Sequence, residues 1–141
     1  MKPILILTAI VLALIAGGCK GSRESQIAGT WKATQGPAML VLKEDKSFSM
    51  GAAGNETKGK WSLNGNNVLL SPETFSGKTK AEALKQVDDM VKNNPAAGPM
   101  AETVKKTLEG MTMAVSEDNK KGTIDIAGGQ MKIEFVKEPS K

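Results

Sequence analysis

Histidine and tyrosine are absent from the 141-residue chain, and aromatic residues make up only 4% of it. Without histidine, Ser-His-Asp and Cys-His nucleophilic catalysis are excluded, as is the usual nitrogen ligand for zinc. A single cysteine excludes an intrachain disulfide. Arginine occurs once, at Arg23, so the formal charge of +4 is carried by lysines interspersed with acids. Nucleic-acid grooves favour clustered arginine with aromatics, whereas this pattern is that of a solvated surface, and no nucleic-acid partner is expected. The core must rest on aliphatics, methionine and the two tryptophans. The length fits one domain with a modest core.

What is present begins with a leader. Met1-Lys2 gives a positive start, Ile4 to Ala16 is apolar except for Thr8, and small residues follow. That is the order of a secretory signal, and the run is shorter than the roughly 20 residues of a spanning helix. Ala16-Gly17-Gly18-Cys19 resembles the lipobox of bacterial lipoprotein precursors. The resemblance implies removal of residues 1–18 and lipidation of Cys19 on sulfur and amine, so that the exported protein is anchored to the cell membrane. More than one acyl chain, at about 0.8 kcal/mol per buried methylene, gives stable anchoring. Lys20 stands where an Asp would resemble an inner-membrane retention signal, so the outer membrane is expected in a cell with two. Residues 19–26 read as lipidated cysteine plus polar tether, the seven residues from Lys20 reaching about 25 Å at most.

From Ile27 the apolar period is two. Trp31 and Ala33, Leu40 and Leu42, Phe48 and Met50, Trp61 and Leu63, and Val68 and Leu70 mark successive strands. Gly51 to Asn55 reads as a loop, and Asn64-Gly65-Asn66-Asn67 as a hairpin turn. Strands resume with Met111, Met113 and Val115 and finish with Met131, Ile133 and Phe135. Between them, at about 76–110, the texture is helical. Thr79 and Glu82 have capping-box spacing; Leu84, Val87, Met90 and Val91 share a face, and Asn93-Asn94-Pro95 ends that helix. Pro99 opens a second helix with a Met100, Val104, Leu108 stripe, and Gly110 caps it.

Two segments echo others. Gly59, Trp61, Leu63, Gly65, Val68 and Leu70 have the same spacing as Gly122, Ile124, Ile126, Gly128, Met131 and Ile133, and Lys43-Glu44-Asp45-Lys46 parallels Ser116-Glu117-Asp118-Asn119. Duplication and convergence of hairpins both account for this, and either favours an antiparallel meander. Gly29-Thr30-Trp31 resembles the G-x-W motif that opens lipocalins and related bacterial lipoprotein domains. In those families the tryptophan plugs the closed barrel end against a late basic residue, a role here open to Lys132 or Lys137. The expected fold is mainly β: residues 27–141 as one antiparallel domain of about eight short strands closed into a lipocalin-like barrel, with a two-helix insertion. The alternative is an open α+β sheet with the helix pair on one face.

Candidate chemistry is sparse. Met111 and Met113 place two thioethers on one strand face, which suits Cu(I), but methionine equally fills an aromatic-poor core. Gly77-Lys78-Thr79 resembles the end of a phosphate loop, yet Pro72 stands where that pattern needs glycine. The pairs Glu44-Asp45 and Glu117-Asp118 fall at turns, where Asp bonds locally. No catalytic residue, metal ligand or cofactor is assigned, and the protein is not read as an enzyme. The expected role is binding of a small apolar or amphipathic ligand in the barrel, with Trp31, Trp61 and Phe48 lining it. The alternative is an envelope interaction module with a solid core; an enzyme of unknown type stands third. The partners expected are therefore the membrane, through the N-terminal lipid, and either that ligand or another envelope protein.

Overall fold

A computed structural model describes residues 22–126, 129 and 131–140. The leader and Cys19 lie outside the described residues. Within them a short helix, α1 (Arg23–Ile27), precedes five strands: β1 (Gly29–Ala33), β2 (Met39–Leu42), β3 (Ser47–Ala52), β4 (Asn55–Asn64) and β5 (Asn67–Phe75). A two-residue strand, β6 (Lys78–Thr79), leads into α2 (Lys80–Asn93), a 3₁₀ turn (Pro95–Ala97) and α3 (Gly98–Glu109). The chain ends with β7 (Met111–Val115), β8 (Lys121–Ile126) and β9 (Met131–Lys137).

Every pairing is antiparallel, in the order β4-β3-β2-β1-β9-β8-β7-β5, and β4 also pairs with β5. The sheet is therefore a closed eight-stranded barrel, with β6 outside it on β5. This is the architecture implied by the lipocalin-like resemblance, and it replaces the open-sheet alternative. Closure removes exposed sheet edges.

Strict alternation fixes what faces inward. Met111, Met113 and Val115 are buried while Thr112 and Ala114 are exposed, and β4 and β5 alternate likewise. The inward set forms one contiguous core running from Ile27 and Trp31 through Leu40, Trp61 and Met113 to Phe135.

The turns and caps follow their sequence signals. Gly65 has φ 60°, and Asn64 pairs with Asn67, so Gly65-Asn66 closes a two-residue hairpin. Thr79 and Glu82 form the reciprocal capping box: Glu82 N donates to Thr79 Oγ1 at 3.3 Å and Thr79 N to Glu82 Oε2 at 2.9 Å. Gly110 caps α3.

Three expectations are corrected. The tether does not extend through Gln26: Ser22 Oγ caps a helix by accepting from Ser25 N, and the last residue of that helix, Ile27, is wholly buried. The loop expected at Gly51 to Asn55 shrinks to Ala53-Gly54, because Gly54 adopts φ 89° and Ala52 pairs with Asn55. In the helix pair, Met100 is 64% exposed and the buried positions are Ala83, Val87, Ala101 and Leu108. Small residues let the helices approach; α2 and α3 pack on each other and on β5.

Candidate functional site

The three residues expected to line a ligand site are brought together inside the barrel. Trp31 is fully buried, with Phe48 2% and Trp61 3% exposed, and all three belong to one cluster. Both indoles are satisfied by backbone: Trp31 Nε1 donates to Ile27 O at 3.0 Å and Trp61 Nε1 to Lys43 O at 2.8 Å. Met111 and Met113 fill the same core. Met113 lies against Gly122. A Cβ on the inward-facing Gly122 would lie 2.6 Å from Met113 Sδ and 3.0 Å from its Cγ.

One barrel end carries the β2–β3, β4–β5 and β7–β8 turns, and α1 lies across it. Trp31 and Ile27 are wholly buried near this end. The late basic residue there is Lys137: it pairs with Trp31 across β1 and β9, and its ammonium donates to Gln26 O. Burial holds Lys137 below the ordinary lysine pKa. Lys132 sits elsewhere, exposed, 3.9 Å from Asp125.

Four further contacts hold α1. Arg23 donates to Gly65 O at 3.2 Å and to the Asn66 side chain. Glu24 pairs with Lys46 at 2.6 Å, and the Lys46 ammonium lies 4.4 Å from the centre of the Trp61 ring. Asn119 Nδ2 donates to Gln26 Oε1 at 3.0 Å. Lys46 and Asn119 occupy equivalent places in the two echoed turns, with φ 69° and 55°. The sequence reading did not name Lys46, Asn119 or Gln26 as site residues. The echo of the turns was the available signal, since it marks residues 46 and 119 as counterparts. In both turns the Asp works locally: Ser47 holds the Asp45 carboxyl below the usual range, and Ser116 with the Lys120 amide does so for Asp118.

Beside α1 a groove of about 610 Å³ is lined by Gln26, Asp118–Lys120 and Val136–Ser140. The opposite barrel end has an apolar rim. Met50, Ile126 and Ile133 pack half-buried against the core there, and Met131 is 56% exposed. A cavity of about 400 Å³ opens beside this rim, lined by Thr34, Gln35 and Met131–Glu134. Three others lie near Gly54 and Ser76, between the helices, and on α2. None of these five is lined by Trp31, Phe48 or Trp61.

Among the described residues, no group of three or more His, Cys, Asp or Glu side chains gathers to hold a metal ion, and no helix is long and apolar enough to cross a membrane. No family model matches the chain, and neither a curated protein nor a solved structure matches it.

Proposed function

We propose that this chain is an exported, lipid-anchored envelope protein whose barrel is a non-catalytic interaction module, acting through its surface with another envelope protein. The lipobox-like Ala16-Gly17-Gly18-Cys19 supports the anchor, and residues 1–18 are the cleaved signal. The observation that carries the module reading is the contiguous inward core, in which both indoles are bonded to backbone and Met113 lies against Gly122.

The anchor is tested by feeding cells a palmitate analogue. The wild type should take up label and Cys19→Ser should not; an unlabelled wild type refutes anchoring. For the module, native mass spectrometry of protein purified from its own host should show a protein partner.

The half-buried rim of Met50, Ile126 and Ile133 with the exposed Met131 favours a second reading, a small apolar or amphipathic ligand held at the mouth. Saturable quenching of tryptophan fluorescence by a lipophilic panel, with a co-purified small molecule, would favour this reading over the first.

A further inference from the structure

We infer that the barrel stands on the membrane in one fixed orientation, with the α1 end against the lipid surface and the apolar rim facing away. This rests on the anchoring proposed above and adds to it a contact face whose partner is the bilayer itself.

The first step is length. Between Cys19 and Ser22 the chain can span at most about 11 Å, even fully extended. Beyond Ser22 the chain is no longer a tether, because α1 is fastened to the barrel from several sides. Arg23 reaches the β4–β5 turn, Glu24 the β2–β3 turn and Gln26 the β7–β8 turn, while Trp31 and Lys137 bond to the helix backbone. Three turns and two strands thus share the attachment. With Ile27 wholly buried beneath it, α1 cannot swing without opening the core.

The second step is what that end presents. Its turns mix signs, with Lys43 and Lys46 beside Glu44 and Asp45, and Lys120 beside Glu117 and Asp118. A face of mixed sign gains little from anionic headgroups, so the short anchor sets the contact and added salt should not release it. The groove beside α1 opens on the same face, with Val136, 42% exposed, on its wall.

The test uses the full-length protein, purified from membranes and reconstituted into phosphatidylcholine vesicles containing a quencher lipid. Single cysteines are introduced at Glu44→Cys and Glu117→Cys on the α1 end, and at Gln35→Cys and Ala53→Cys on the opposite end. All four positions are exposed. Each is labelled with a fluorescent maleimide. Residues 44 and 117 should be quenched at least several-fold more strongly than 35 and 53, unchanged by 0.5 M salt. Adding Arg23→Ala and Glu24→Ala should reduce this contrast while the protein stays on the vesicles. Equal quenching at both ends, or the reverse order, in vesicle-bound protein overturns the orientation alone. A wild type whose Cys19 accepts maleimide overturns the anchor, and the orientation with it.

Discussion

Gly122→Ala distinguishes a filled barrel from a hollow one by the sign of a stability change. Gly122 is an inward-facing residue of β8, and its φ lies outside the left-handed region, so alanine meets no backbone strain. Replacing glycine where the backbone permits stabilises by about 0.4–1 kcal/mol, through the lost freedom of the unfolded chain. Against this, the new methyl would lie 2.6 Å from Met113 Sδ, 3.0 Å from Cγ and 3.4 Å from Cε. Met113 is itself fully buried. In a hollow barrel its flexible side chain would swing into the void at little cost, and the variant would gain about 0.5 kcal/mol. In a filled one the thioether must displace other core atoms, and such overpacking costs roughly 1–3 kcal/mol. The expected net is a loss of about 1–2 kcal/mol, or a fall of roughly 4–8 °C in Tm for a domain of this size. Urea unfolding followed by tryptophan fluorescence measures it. Met113→Ala supplies the control: on that background Gly122→Ala should lose its cost, giving a coupling energy of at least about 1 kcal/mol. A Gly122→Ala barrel more stable than the wild type would refute the filled interior and restore the ligand cavity.

Ile27→Ala removes a wholly buried side chain from beneath α1, and should cost about 2–5 kcal/mol in urea unfolding, with a red shift of Trp31 emission as that end opens. Thr79→Ala deletes one half of the capping box on α2 and should cost about 1 kcal/mol; circular dichroism through the thermal transition measures the loss. The acid limb follows from Asp45, Glu82 and Asp118, each held below its ordinary pKa by hydrogen bonds from neighbouring Ser or Thr and backbone amides. A depressed folded pKa stabilises above the unfolded value and loses that stabilisation as pH falls through the folded one. The urea midpoint should therefore hold from pH 7 to about 5 and decline below about pH 4. Asp45→Asn with Asp118→Asn should flatten that decline.

Much of the barrel was legible because its strands are amphipathic at period two. Trp31, Leu40, Phe48, Trp61, Leu70, Met113 and Phe135 were all placed on inward faces by alternation alone, and each is buried. The capping box and the Asn64–Asn67 turn were legible for a local reason: few residues fit those backbone geometries. Closure was legible only through the G-x-W resemblance: hairpin grammar specifies neighbours, whereas β1–β9 joins the two ends of the domain and β5–β7 bridges the helical insertion. The helix α1 was not legible: five residues with one apolar member carry no periodicity, and its stability comes from the tertiary contacts of Arg23, Glu24 and Gln26. Alternation also could not say whether Trp31, Phe48 and Trp61 line a space or fill it. That depends on the summed volume of side chains from eight strands, which Gly122→Ala probes at Met113.

The two sequence echoes resolve differently in space, and the difference bears on how α1 is held. Trp61 pairs with Leu70 and Leu63 with Val68, as Ile124 pairs with Ile133 and Ile126 with Met131. Yet the β4–β5 turn lies at the α1 end and the β8–β9 turn at the other, so these hairpins point in opposite directions. The turns Lys43–Lys46 and Ser116–Asn119 lie at the same end and share their bonds. Lys46 N donates to Lys43 O at 3.1 Å and Asn119 N to Ser116 O at 2.9 Å, and Ser47 and Lys121 carbonyls close both turns. A rotation about the barrel axis that carries β2–β3 onto β7–β8 preserves strand direction, and it cannot also carry β4–β5 onto β8–β9. The two echoes thus do not share one rotation about the barrel axis, and of the two it is the turn echo that has a structural use. Each turn places a left-handed residue where its side chain meets α1, and asparagine tolerates that conformation more readily than lysine. At Lys46 the strain is offset by the Glu24 carboxylate and the Trp61 ring, so the less suited residue carries the stronger contact.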